Sequence, residues 1–344
     1  MTSMLAAAAA PVLRPVPWRR LGWVAWRRNR ATVVAAAAVL GVVAVFLLVR
    51  GDQMRHAYDV AKACSPQESA ACHFAWDSFQ NSYGSIGFIG AILVFIPGVL
   101  GAFAGAPLLA RELETGTYRF AWTQGAGRIR WLLAMLVPGA LGVALVCAAY
   151  GALVTWYYQP LFDYGDLERL RPTVFMITGL AAMGWSLLAF AGGVLAGFLT
   201  RRVVPALAAT LAAWTGLAIL TATMRRYHYQ APLATSRPRI ATGDLQLAQW
   251  WTHGGVRVSD GQINEVLRAI GVQTSSNGGN VAVKPGGDPN DPFDYLIQHG
   301  YTQWTSYQPN GRYWTFQAIE LTWLTVLSIL LIIGTVWLVR RRSA

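Results

Sequence analysis

The stretch Ala31-Thr-Val-Val-Ala-Ala-Ala-Ala-Val-Leu-Gly-Val-Val-Ala-Val-Phe-Leu-Leu-Val49 carries no ionisable group and is closed by Arg30 on one side and Arg50 on the other. About 20 apolar residues in a helix cross the hydrocarbon core of a bilayer, and flanking Arg marks where such a helix meets the headgroups. Five further stretches read the same way: residues 85–107, 131–156, 173–198, 203–224 and 314–339. Within the six, Glu320 is the one side chain that would bear charge.

The composition agrees. Of 344 residues, 54% are hydrophobic and 13% are charged, whereas soluble domains carry about 25% charged residues. So high an apolar content also excludes a disordered chain. The net charge of +12 does not point to nucleic acid, because 26 of the 28 cations are Arg set beside apolar runs. The expected fold class is an all-α polytopic membrane protein with six transmembrane helices.

Orientation follows from the connections. The N-terminal segment, residues 108–130, the Arg201–Arg202 turn and the C-terminal tail hold 15 cations against two acids, Glu112 and Glu114. Residues 50–84, 157–172 and 225–313 hold 13 of each sign. The positive-inside rule then places both termini in the cytoplasm of a plasma-membrane protein. Met1 to Leu13 is Ala-rich with no cation before it, the reverse of a secretory signal, so the N-terminus is expected to stay in the mature chain. Four regions result: a cytoplasmic segment 1–30, spans one to five over 31–224, an extracytoplasmic cap over 225–313, and span six with its basic tail over 314–344.

Trp18, Leu21, Gly22, Ala25 and Trp26 recur at helical spacing, with Arg on much of the remainder. Trp and Arg both favour the headgroup boundary. The expectation is an N-terminal interfacial helix that turns into the first span, or else a basic flank of no fixed structure. Cys64 and Cys72 fall in the first outer loop, where oxidising conditions allow a disulfide; two free thiols are the alternative. With His73 they match no usual zinc pattern, so no metal site is expected.

Residues 225–313 are too many for a bare connection. Gln246–His253 and Gln262–Ile270 read as helices, the latter with Ile263, Val266, Leu267 and Ile270 at amphipathic spacing, and Ser275–Pro292 reads as loop. Trp250, Trp251, Tyr295, Tyr301, Trp304 and Tyr307 supply bulk for a small folded cap that packs on itself, with stacking on a sugar or peptide as the lesser reading. His228 and His253 have no nucleophile or paired carboxylates in a catalytic arrangement. Gly101-x-x-x-Gly105 permits close helix approach, by default within one bundle.

The connection between spans two and three reads Leu108-Leu-Ala-Arg-Glu-Leu-Glu-Thr-Gly-Thr-Tyr-Arg-Phe-Ala-Trp-Thr-Gln-Gly-Ala-Gly-Arg-Ile-Arg-Trp131. Its first part is helix-compatible, and Gly116 can close that helix in a left-handed conformation. Thr117–Gln124 reads as a second short helix, broken by Gly125 and Gly127, with Arg128 and Arg130 at re-entry. A helix lying on lipid is the plainer alternative.

Glu112-x-Glu114-x-Gly116-Thr117, then Trp122-Thr-Gln, then Arg128-x-x-Trp131 resembles the membrane subunit of ABC-2-type ABC exporters, most closely the actinobacterial type. The likeness extends over six spans, the Cys64/Cys72 loop and Tyr307-Gln-Pro-x-x-Arg312-x-Trp314-x-Phe-Gln317-x-x-Glu320. It implies an elbow helix at the N-terminus and coupling to an ATPase through Arg111, Glu112, Glu114, Gly116, Thr117 and Arg128. It further implies a dimer, with a second copy or with another permease. Many relatives carry Lys where this chain has Met135.

The residues themselves offer no engine. A Gly-x-x-x-x-Gly-Lys-Ser/Thr loop is absent, and the chain has only Lys62 and Lys284. Proton-driven transporters place acids or His deep in their spans; here Glu320 stands alone, near the outer end. The expectation is a permease without cofactor of its own, ATP and Mg being bound by a separate ABC ATPase subunit. Arg312, Gln317 and Glu320 form an expected outer polar cluster that pins the outer loop to span six, or else contacts substrate. Two other classes compete. A lipid-modifying enzyme would need acidic or His clusters at the interface, and a sensor or assembly protein would need a cytoplasmic output domain.

Overall fold

The computed structural model describes residues 18–65, 69–84, 87–116, 128–236, 240–269 and 292–342. Among them six helices are long and apolar enough to cross a membrane, and the protein is a multi-pass membrane protein. The helices are α1 (Trp18–Ala63), α2 (Ala70–Tyr83), α3 (Gly87–Thr115), α4 (Arg128–Tyr164), α5 (Pro172–Ile177), α6 (Ala181–Thr200), α7 (Val203–Leu220), α8 (Asp260–Ala269), α9 (Pro292–Gln298) and α10 (Tyr313–Arg342). Spans one to six are carried by α1, α3, α4, α6, α7 and α10.

Three expectations need correction. First, α1 runs unbroken from Trp18 to Ala63, so no turn separates an interfacial elbow from span one. The reason is local: between Gly22 and Gly41 the sequence has no Gly or Pro, and Ala and Arg favour helix. Second, the fourth span is not one helix. It breaks at Thr178–Leu180, between α5 and α6, with Gly179 at φ +59°. Third, the cap is not all helical.

Four antiparallel strands form a sheet in the cap, β1 (Leu233–Thr235), β2 (Leu245–His253), β3 (Val256–Val258) and β4 (Tyr301–Gln308), in the order β1-β4-β2-β3. The segment expected as a helix at Gln246–His253 is therefore strand β2. Two signals outweighed its weak helical pattern. Gly254 and Gly255, both at positive φ, make the two-residue hairpin that needs such backbone and pair His253 with Val256. Trp250 sits opposite Trp304, a cross-strand aromatic pair that stabilises a sheet. The helix expected at Gln262–Ile270 is present as α8, and its Ile263 and Leu267 pack with Trp251 and Leu296 under the sheet. Thr117–Gln124 and nearly all of Ser275–Pro292 lie outside the described residues.

The centre of the bundle is the α3–α6 contact. A Cβ on Gly101 or Gly105 would run into backbone carbonyls of Ser186 or Phe190, and one on Gly193 or Gly197 into the backbone of Ala106. The small residues therefore serve packing within this chain. Lacking a hydrophobic drive between spans, membrane helices gain most from such close approach. At the cap end of the bundle, α2 folds back beside α1. Cys64 and Cys72 are joined by a disulfide with Cα atoms 5.5 Å apart, and Trp76 of α2 stacks on Tyr164 of α4 at 4.8 Å. At the basic end, Leu109, Trp131, Leu132, Leu136, Phe190, Val194, Phe198 and Val339 make one apolar cluster across four spans.

Candidate functional site

At the basic end, α3 continues beyond the expected limit of span two to Thr115 and ends at Gly116, whose φ of +70° is the left-handed closure expected of it. The last turn divides its side chains. Arg111 and Glu114 are exposed, whereas Glu112 is only 3% exposed and faces the bundle. Thr117 and the Arg128 side chain lie outside the described residues; the backbone of Arg128 opens α4. Of the six residues expected to couple to an ATPase, Arg111 and Glu114 thus stand where a partner can reach them. Both ends of this connection are seated on the four-span apolar cluster through Leu108, Leu109, Leu113, Trp131 and Leu132. Met135 packs in the same cluster, where an apolar side chain suits its surroundings better than Lys would.

At the cap end, α10 places Gln317 and Glu320 one turn apart, both fully buried. A π-helical turn, Thr221–Arg225, follows α7 and precedes Arg226; such turns often occur at functional positions. Arg226, not Arg312, meets the carboxylate. Its Nε donates to Oε2 at 3.0 Å and its Nη2 to Oε1 at 2.7 Å, a bidentate pair with both partners at most 1% exposed. Trp185 Nε1 donates to Oε1 at 2.7 Å and Tyr229 OH to Oε2 at 3.1 Å. Arg226 Nη1 donates to the carbonyl of Pro172 at 3.0 Å, and its guanidinium lies 4.6 Å from the Phe175 ring centre. Trp323 Nε1 donates in turn to Tyr229 OH at 3.1 Å.

Four donors fill the acceptor sites of one carboxylate. Nothing remains on Glu320 for a passing substrate, which favours the pinning role over a transport role. Burial, with the carboxylate beside it, holds the Tyr229 phenol above its usual range, so Tyr229 stays a donor at neutral pH.

Arg312 serves elsewhere: its Nη1 donates to the carbonyl of Ala231 and to Gln308 Oε1, each at 2.7 Å. Eight residues separate it from Glu320, about 12 Å along a helix, which is why the expected pair does not form. Gln317 repairs the broken fourth span. Its Oε1 accepts from Ala181 N at 2.6 Å and its Nε2 donates to the carbonyls of Phe175 and Thr178 at 3.3 and 3.2 Å. Gly179 N donates to Thr155 Oγ1 at 3.0 Å. Freed backbone inside a membrane must find such partners.

Sequence reasoning missed Arg226, Trp185 and Thr155. The Thr178-Gly179 pair inside an apolar run and an Arg directly after span five were the available signals. Among the described residues no group of three or more His, Cys, Asp or Glu could hold a metal ion.

A family model described as "ABC-2 membrane transporter related" matches residues 37–226, more than half of the chain. The match takes in spans one to five, the α3–α4 connection and the break in span four, and it ends at Arg226. No curated protein and no solved structure matches the chain.

Proposed function

The chain belongs to the ABC-2 membrane transporter related family, the permease component of ABC transporters, and from that premise we propose that it is the membrane subunit of an ATP-driven exporter. In this reading a separate ABC ATPase docks beneath the α3–α4 connection, and the working unit is a dimer of permeases. The basic end and both termini face the cytoplasm, and the cap faces outward.

One observation carries the coupling assignment. The last turn of α3 presents Arg111 and Glu114 to solvent next to the apolar cluster that joins α3, α4, α6 and α10. A close-packed interior transmits strain rather than absorbing it. A push on this turn therefore moves four spans together.

The experiment is co-purification of the full chain with Walker-motif ABC ATPase subunits from the same cell, tested one by one. The chain alone hydrolyses no ATP, and the pair does. Reversing both exposed charges (Arg111→Glu with Glu114→Lys) lowers complex affinity at least tenfold, the order of one lost charge-assisted contact, while the permease stays folded. Undiminished association in the double reversal overturns the coupling site; no association with any ATPase overturns the exporter reading.

A further inference from the structure

The break in the fourth span opens onto a cleft of about 520 Å³ that no part of the reading above uses. Its walls come from α1 (Arg55), α4 (Ala148, Ala152, Trp156), the Gly179–Leu180 break and the start of α10 (Trp314). The volume lies in the range of small-ligand sites.

Its polarity is graded with depth. Gln159, Trp156 and Thr155 line it at the cap end of α4, and Ala152 and Ala148 line it further in. From Gln159 to Ala148 the helix descends about 16 Å toward the membrane centre. Trp314 is 59% exposed and Trp156 37%, the amphipathic rings that mark a membrane boundary. At that level stands a cation. The Arg55 guanidinium lies 3.5 Å from the centre of the Trp156 ring and donates to the carbonyls of Gly51 and Trp156. Asp52 and Asp59 on the same helix are exposed and lend it only through-space attraction. Two of its five N–H groups are thereby engaged, and the planar fork is held in place by stacking.

We propose that this cleft binds one anionic phospholipid from the leaflet on the cap side, its phosphate on Arg55 and an acyl chain along Ala152 and Ala148. A fixed guanidinium suits phosphate oxygens, the apolar floor suits methylenes, and a headgroup at this level keeps its chains at lipid depth. The inference does not depend on an ATPase partner.

Native mass spectrometry of the full chain in neutral detergent, titrated with phosphatidylglycerol or phosphatidylcholine, tests it. The wild-type chain takes up one phosphatidylglycerol at several-fold lower concentration than phosphatidylcholine, because the choline cation offsets the phosphate charge that Arg55 meets. Arg55→Gln removes that preference. Ala152→Phe, at an exposed position, weakens both lipids alike. Preference surviving in Arg55→Gln, or unchanged uptake in Ala152→Phe, overturns the proposal; the second variant decides alone if the first does not fold. Displacement of phosphatidylglycerol by an equal concentration of glycerol phosphate also overturns it, since the site would then be one for soluble phosphate.

Discussion

Removing the Glu320 carboxylate should destabilise the cap end of the bundle from within. In Glu320→Ala the Arg226 guanidinium, 1% exposed, loses both of its carboxylate bonds, and Trp185 Nε1 and Tyr229 OH lose their acceptor. Breaking a buried pair by deleting one partner costs about 3–5 kcal/mol, and stranded neutral donors cost about 1–3 kcal/mol each. The contributions share one site and do not add, so about 4 kcal/mol is expected. At ~2 °C per kcal/mol for a chain of this size, the apparent melting temperature falls by about 8 °C. Replacing both partners, Arg226→Met with Glu320→Leu, removes the lone charge and recovers at least half of the loss. The assay is thermal unfolding of the purified chain followed by intrinsic fluorescence, to which Trp185, Trp214 and Trp323 around the pair contribute. A Glu320→Ala chain within 2 °C of wild type, or a double variant no better than the single one, would refute the reasoning.

Glycine at the α3–α6 contact is expected to be irreplaceable, while lipid-facing glycine is not. Gly105→Leu drives a side chain into the Phe190 carbonyl and should abolish a monodisperse elution peak, whereas Gly216→Leu meets nothing within 4 Å and should leave the peak unchanged. The raised Tyr229 pKa gives a signed pH dependence. A group whose folded pKa lies above its unfolded value, about 10 for Tyr, adds stability that is present below that value and declines as pH rises past it toward the folded pKa. Denaturation midpoints should be insensitive to Tyr229 between pH 6 and about 9 and fall at higher pH, with a smaller fall in Tyr229→Phe.

The six crossings were legible because length and apolarity alone define a membrane helix, and Gly116 was legible because left-handed backbone favours one residue type. What stayed hidden depended on partners distant in sequence. Sequence alone puts Arg226 in a loop because the chain after span five is polar, yet Glu320, 94 residues later, draws it inside. The break at Thr178–Leu180 was invisible because its freed amide at Ala181 is satisfied by Gln317, 136 residues away. Strand β2 looks helical for the same reason, since the periodicity of eight residues cannot report a partner strand some 50 residues on. For the residues expected to couple to an ATPase, sequence marks one turn of helix but does not say that Glu112 faces inward while Arg111 and Glu114 face out.

The unbroken first helix has a mechanical consequence. Forty-six residues at 1.5 Å each make a stiff rod about 70 Å long, more than twice the hydrocarbon thickness, so a tilt of about 10° swings its far tip through roughly 12 Å. The disulfide shackles that tip to α2, and the Trp76–Tyr164 stack fastens α2 to the end of α4, so any such swing must carry or strain that stack. Phe74 of α2, 73% exposed, offers a place to attach a reporter.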